Sequence, residues 1–516
     1  MKPEKPTRKS LYFHYLISVV LLTVYLCFSF NFVWHDNLST FASDSANYML
    51  MGLYMSPWKE ASAPIQALWQ FQDFPPLFPL ILAITGAVHN INIAHIMTLL
   101  FLIVSLPLIY LFSRKCFASN WQALAITSIF LLSPSTWLNI LGILSENLYI
   151  FISLLIIVLF PNQNKSNIYY SLFLGLLISL LILTRTIGAS MFLAYLIVGF
   201  AAWHNKSLST EKFIAPIIVT ILINLFAKVL HQSSVPSQYI QQLSTIDISG
   251  QPKVLVETWF AAWQYYWIDD LIIPQLFVFF LGVLACLGLA IRLRLLKLDA
   301  FYLLVYFCIL LVWPHPGQAL RFIYPVHALL IIYAFFSIHL IFTNLTSIKS
   351  EKPILIMLLI SFSVIGPTLS YLWNRHQIGN EKGYNHIHEY YRLPEIKHAE
   401  VVAAIQKTMF NDMKAIESNT NENDTVLHFA PVYIALLANR HSKPLSFNYP
   451  GDDLYKINDV NDAEYIYVSK LHPRRTGKDI NGLDLKVYFN GATEPVWTHY
   501  STESGEPVSV LLKVKK

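Results

Sequence analysis

Charge is what this sequence has least of. Asp, Glu, Lys and Arg make up 13% of its 516 residues while 55% are hydrophobic, more apolar surface than one soluble core of that length can hide. The excess of five positive charges therefore does not describe a nucleic-acid surface. Lys and Arg sit mainly in short segments between apolar runs, where they report orientation across a bilayer. Cysteine is scarce as well. Cys27, Cys116, Cys286 and Cys308 all lie in or beside apolar runs, which excludes a disulfide framework and any cysteine-based metal spacing. No glycine-rich phosphate loop, internal repeat or low-complexity tract occurs, so neither a nucleotide-binding loop nor a repeat array is expected.

What the chain has instead is long apolar runs. Stretches able to cross a bilayer, which takes roughly 17 to 25 residues, fall near 11–34, 92–113, 119–138, 146–160, 168–184, 187–203, 213–231, 271–291, 300–313, 320–342 and 353–373. The reading is an α-helical polytopic membrane protein with about eleven transmembrane helices. The basic stretch MKPEKPTRK precedes an apolar run of spanning length with no small-residue cleavage site after it, so a retained first helix is expected rather than a secretory signal.

With the N-terminus in the cytoplasm, the inner loops carry Lys2, Lys5, Arg8 and Lys9; Arg114 and Lys115; Lys165; Lys206 and Lys212; Arg292, Arg294 and Lys297; and Lys349 and Lys352. The opposite loops before residue 374 carry only Lys59, Arg185, Lys253 and Arg321. That asymmetry orients the chain. It also places Asp44, Asp73, Glu146, Arg185, His315 and Arg321 at the outer ends of spans, on one face. Each has a plain explanation: an arginine can snorkel to the interface, and Glu146 beside Ser145 can open the fourth span. Ionisable groups at membrane depth are costly, however, and six on one face mark a candidate site. Lys59 is a further candidate on the same side.

Two outer loops are long, 35–91 and 232–270. The first contains PPLFPLILAITGAVHN (75–90), too short to span and opened by prolines, which reads as an interfacial helix. The second holds Trp259, Trp263, Tyr265, Tyr266 and Trp267, an interfacial aromatic belt or a surface for stacking on a sugar. After Trp373 the composition turns polar. A helical pattern at VVAAIQKTMFNDMKAIESNT precedes strand candidates TVLHFA, AEYIYVS, LKVYFN and SVLLKV and a helical VYIALLANR, giving a small α/β domain. The domain boundary is placed at 375/376. The pair His386 and His388 in HIHE has no third ligand at a fixed spacing and reads as a solvated linker.

In this order SDSANY (43–48), PPLFPLILA, LSENLY (144–149), LTRTIG (183–188) and HPGQALRFIYPV (315–326) resemble the polyprenyl-phosphate-dependent glycosyltransferases of the GT-C fold, the protein O-mannosyltransferases and lipid A aminoarabinose transferases among them. The resemblance covers roughly residues 10 to 375. It implies inverting transfer of a sugar from a polyprenyl phosphate to an acceptor hydroxyl at the outer face. An alcohol attacks once a carboxylate takes its proton, and a leaving phosphate gains charge as the glycosidic bond breaks, so a base and a cationic clamp must face each other. On this resemblance Asp44 is the general base and Arg321 holds the donor phosphate. Arg185 and His315 are secondary phosphate ligands. Asp73 either orients the acceptor or caps the interfacial helix. In the protein mannosyltransferases an Asp-Glu pair stands in the first loop, whereas Ser45 follows Asp44 here, which argues against a protein acceptor.

The expected partners are a polyprenyl-phosphate sugar, a glycan, lipid or protein acceptor, and membrane lipids, without nucleic acid. No cofactor and no metal are expected, the lipid-linked sugar being a substrate. The expected location is a bacterial inner membrane with the C-terminal domain in the periplasm. Two other readings compete: a transporter or flippase using Arg185 and Arg321 as substrate ligands, which calls for related halves or broken midplane helices, and a non-enzymatic envelope assembly protein.

Overall fold

A computed structural model of the chain describes residues 8–38, 44–69, 74–117, 119–230, 272–312, 319–345, 351–393, 395–428, 430–444, 463–469, 493–500, 505 and 507–515. The chain divides into two compact units. One comprises Met1–Trp34, Pro75–Phe78 and His95–Asn374; the other comprises His35–Phe74, Pro79–Ala94 and Arg375–Lys516. Neither is a single continuous stretch, because residues 35–74 and 79–94 fold with residues 375–516.

The first unit is helical. Its helices are α1 (Arg8–Val33), most of α5 (Ile91–Cys116), α6 (Asn120–Leu132), α7 (Pro134–Ile140), α8 (Glu146–Leu159), α9 (Ile168–Thr184), α10 (Ala189–His204), α11 (Thr210–Leu230), α12 (Ile272–Arg294), α13 (Leu298–Leu311), α14 (Ala319–Leu345) and most of α15 (Glu351–Lys382). In lipid, every backbone polar group must be paired within its own segment, so apolar runs become helices. Among the described residues seven helices are long and apolar enough to cross a membrane, or eight with α6 and α7 taken as one span bent by 54° at Ser133–Pro134. Shorter apolar helices cover Ser18–Val33, Ile168–Thr184 and Leu298–Leu311. Ten of the eleven expected runs each fall on one helix, and the run at 119–138 falls on α6 and α7 together. Serine and threonine hydroxyls inside these helices donate to the carbonyl one turn back, as Ser105 to Phe101 and Ser179 to Gly175, so they enter the bundle already paired.

One cation assigned to an inner loop from the sequence differs from expectation. Arg292, read as a topology marker, is buried and forms a two-pronged pair with Asp299, Nε to Oδ2 at 2.5 Å and Nη2 to Oδ1 at 2.8 Å. Tyr333 donates to the same carboxylate at 2.5 Å, and the guanidinium lies 5.3 Å from the Phe112 ring centre. A charge at that depth persists because the fork of arginine and a phenol together satisfy both carboxylate oxygens.

The second unit contains α2 (Asp44–Tyr54), α3 (Ala63–Trp69), most of α4 (Leu77–Ile84), α16 (His388–Arg392), α17 (Ile396–Asn419) and a five-stranded sheet ordered β2-β1-β3-β5-β4. The strands are β1 (Thr425–His428), β2 (His441–Pro444), β3 (Tyr465–Ser469), β4 (Thr493–Tyr500) and β5 (Pro507–Val514). β1 runs parallel to β2 and β3, while β5 is antiparallel to β3 and β4. β1, β3, β5 and α17 match the sequence reading; β2 and β4 add to it, and LKVYFN lies outside the described residues. Strand β4 was not legible because Pro495 interrupts its alternation, and its register with β5 shifts there.

Within this unit α3 packs on β2, and Tyr433 donates to the Leu38 carbonyl at 3.3 Å. The side chain of His35 stacks on His386 with ring centres 4.5 Å apart. HIHE is therefore not a solvated linker: Ile387, His388, Tyr390 and Tyr391 are buried. The apolar partners Ile387, Tyr390 and Tyr391 draw the histidines inward with them.

Candidate functional site

Three segments far apart in the chain meet inside the first unit. Glu146 is the first residue of α8, Arg185 follows the last residue of α9, and Arg321 stands in the first turn of α14. The Arg185 Nη1 atom lies 2.5 Å from Glu146 Oε1, and the Arg321 Nε–H donates to that same oxygen. All three side chains are buried, Glu146 completely. The arginines therefore do not snorkel outward, and Glu146 does not cap its own helix. Breaking such a pair would leave an uncompensated charge in an apolar interior, which holds the three helix ends in register.

Local sequence explains how each group arrives. In LTRTIG the chain leaves α9 at Arg185 and turns through a short 3-10 segment, Thr186–Gly188, into α10. A Cβ on Gly188 would stand 2.6 Å from the Leu181 carbonyl oxygen, so only glycine allows the turn to close against α9. In LSENLY and RFIYP the third residue after each charged group lies on the same helix face. Those positions are Tyr149 and Tyr324, and both are fully buried.

A polar layer surrounds the ion pair. Tyr324 donates to Asn147 Oδ1 at 2.7 Å, Asn147 donates to the Thr98 carbonyl at 3.2 Å, and Tyr306 donates to the Phe322 carbonyl at 2.6 Å. Tyr302 donates to the Tyr149 hydroxyl at 3.1 Å. The Arg185 guanidinium also lies 5.8 Å from the Phe322 ring centre. These tyrosines were not singled out from the sequence, although the i, i+3 spacing from Glu146 and Arg321 points to two of them. Chemically, paired guanidinium groups at helix ends form a fork-bearing cationic site suited to phosphate.

The remaining sequence candidates fall elsewhere. Asp44 belongs to the second unit, where it opens α2 and is buried, 5% exposed. A carboxylate in the first turn of a helix faces the positive end of the helix dipole. Its helix is held by close packing, since a Cβ on Gly52 would meet the Val88 side chain at 2.4 Å. Trp58 secures the following turn by donating to the Ile84 carbonyl at 3.0 Å. Lys59 is exposed in that turn. Asp73, His315 and the aromatic cluster at 259–267 lie outside the described residues. Among the described residues no group of three His, Cys, Asp or Glu side chains is arranged to hold a metal ion.

No protein-family model and no curated protein sequence matches the chain. Solved structures do. ArnT from Cupriavidus metallidurans bound to undecaprenyl phosphate is similar with a TM-score of 0.57 at 10% identity, over 96% of this chain and 97% of that one. The Archaeoglobus fulgidus oligosaccharyltransferase in complex with Zn and sulfate is similar with a TM-score of 0.51 at 11% identity, over 95% of this chain and 72% of that one. The chain spans 65% of the length of the A. fulgidus oligosaccharyltransferase AglB, at a TM-score of 0.48 and 13% identity. At such identities the likeness establishes architecture: this chain is a polytopic membrane protein with the GT-C fold.

Proposed function

We propose that the protein is a membrane glycosyltransferase that moves a sugar from a polyprenyl-phosphate donor to an acceptor hydroxyl at the periplasmic face of a bacterial inner membrane, with inversion. The observation that carries this reading is the buried meeting of Arg185 and Arg321 on Glu146 in a fold shared with an enzyme whose structure holds undecaprenyl phosphate.

In the proposed reaction Arg185 and Arg321 bind the donor phosphate, with His315 as a further ligand. Asp44 accepts the proton of the acceptor hydroxyl as its oxygen attacks the anomeric carbon from the side opposite the phosphate. The bond from that carbon to the phosphate oxygen breaks, and the phosphate leaves as a monoester with one more negative charge. The guanidinium groups stabilise the charge as it develops. Asp73 orients the acceptor hydroxyl. Asp44 is buried, which supports its role by keeping bulk water away from the proton transfer.

The test compares cells expressing wild type, Asp44→Asn or no protein, with mass spectrometry of lipid A, surface polysaccharide and envelope proteins. One of these is expected to lose a single glycosyl mass both without the protein and with Asp44→Asn, while purified Asp44→Asn still binds undecaprenyl phosphate. An unchanged envelope in cells lacking the protein overturns the glycosyltransferase reading, and full modification by Asp44→Asn removes Asp44 as the base.

A further inference from the structure

In the second unit a buried carboxylate holds a histidine at the surface. Asp412 of α17 has a side chain only 1% exposed. Tyr467 of β3 donates to its Oδ2 atom at 2.7 Å, Ser509 of β5 donates to the same oxygen, and His499 Nδ1 of β4 lies 2.7 Å from Oδ1. Strand register explains the convergence. His499 pairs with Ser509, Ser509 pairs with Ser469, and Tyr467 stands two positions before Ser469. All of them therefore share one face of the sheet, the face on which α17 packs.

Burying a carboxylate is costly, and Tyr467 and Ser509 leave Oδ1 to the imidazole. A carboxylate accepts hydrogen bonds, so the shared hydrogen stands on Nδ1, and Nε2 is the acceptor of the neutral ring. Nε2 lies on the far side of the ring from Asp412, and 32% of the His499 side chain is exposed. A carboxylate on one ring nitrogen fixes tautomer and orientation for a ligand on the other. Trp497, two residues earlier on the same strand, sets its indole at 76° to this ring with centres 5.8 Å apart, and it too is partly exposed.

Among the described residues β4 is an outer strand of the sheet. A free strand edge invites pairing with another chain. Here the ladder to β5 is irregular on both sides of the aromatic pair, between Pro495 and Trp497 and between His499 and Tyr500. Proline withholds a backbone donor and a bulge twists the edge away, so strand addition by a peptide is disfavoured. What the edge offers is side chains, an aromatic surface beside one oriented acceptor. A pyranose matches both. Its apolar C–H face stacks on an indole while its hydroxyls donate to a nitrogen at the rim of the stack.

We propose that Trp497 and His499 form a saccharide-binding patch that captures the acceptor glycan, with Asp412 as the positioning residue for the imidazole. The acceptor role rests on the glycosyltransferase reading; the saccharide contact does not.

Oligosaccharides cleaved from the lipid A core and surface polysaccharide of cells lacking the protein, labelled with a fluorophore, are titrated against the full chain in lipid nanodiscs. Wild type is expected to bind at least one of them. Trp497→Ala should weaken that binding about ten-fold, the worth of one aromatic contact, and Trp497→Phe should retain part of it. His499→Ala and Asp412→Asn should each weaken it by a similar factor. Adding Asp412→Asn to His499→Ala should weaken it no further, because the carboxylate acts through the imidazole; a further loss in the folded double variant overturns the positioning role.

If Asp412→Asn fails to fold, the two partly exposed residues carry the test. Failure of wild type to bind any of these oligosaccharides, or full binding by folded Trp497→Ala or folded His499→Ala, overturns the patch and leaves the glycosyltransferase reading standing. Binding that depends on both residues, in a protein whose removal leaves the envelope unchanged, supports the saccharide patch and overturns its acceptor role.

Discussion

Arg185 and Arg321 converge on one and the same oxygen of Glu146, from the end of one helix and the start of another. Neither arginine faces water, and the carboxylate between them is completely buried. The three groups therefore stand or fall together.

Removing one cation from this set leaves the carboxylate facing a single guanidinium. Arg321→Met is expected to destabilise the protein by roughly 3 kcal/mol or more, the usual cost of breaking a buried pair. Adding Glu146→Gln to Arg321→Met should destabilise further, because Arg185 then loses its Glu146 carboxylate as well. Thermal unfolding of the four proteins in one detergent checks both expectations.

The turn behind Arg185 leaves no room for a side chain at Gly188, whose added Cβ would meet backbone atoms of Leu181 and Ile182. Gly188→Ala is expected to cost about 1–3 kcal/mol as an overpacked site. It should also weaken undecaprenyl phosphate binding by displacing Arg185, whereas Gly366→Ala, at a position with open space, should change neither. Unaltered affinity in folded Gly188→Ala would show that the turn does not position the arginine.

Midway along α14, Tyr333 donates to Asp299, which also pairs with Arg292. Asp299→Asn is expected to lower stability by roughly 3 kcal/mol, leaving a buried guanidinium without its counter-charge. Tyr333→Phe removes one donor to the carboxylate and should cost about 1 kcal/mol. Denaturation midpoints read from tryptophan fluorescence in detergent distinguish the two.

In the second unit burial pushes the His428 imidazole down to about 4, against the opposing hydrogen bond it donates to the Tyr467 carbonyl. His386 is likewise pushed down to about 4, by burial first and by neighbouring His376 second, with Asp36 acting the other way. A histidine with an ordinary pKa of about 6.5 when unfolded takes up its proton in the unfolded state first. Stability is therefore complete above pH 6.5 and falls as the pH drops toward 4, where the folded state also begins to protonate. Melting temperatures measured from pH 7.5 to 4 should decline over that window, and His428→Phe should flatten the decline.

The legible part of the site was its residue types. Glu146, Arg185 and Arg321 stood out because each is an ionisable residue at the end of an apolar run, where solvation makes charge expensive. Their ranking was not legible. Glu146 read as a helix opener beside Ser145, since capping is the commonest use of an acid there, and only its two partners from other helices give it a central place. Arg292 read as a topology marker for a similar reason: a basic residue after an apolar run is usually solvated, and nothing local announces that Asp299, seven positions on, will turn back to meet it. The histidines of HIHE looked exposed because their flanks are polar, yet Tyr390 and Tyr391 bury the segment.

The amino-acid order by itself determined that this is a multi-span helical membrane protein, and where its helices lie, because bilayer thickness and backbone pairing act on each apolar run separately. Tertiary structure alone decided that Glu146 sits between two arginines, that Arg292 is buried against Asp299, and that residues 35–74 and 79–94 fold with residues 375–516. Those outcomes depend on contacts between groups far apart along the chain, and a buried charge finds its counter-charge by packing, which no local pattern encodes.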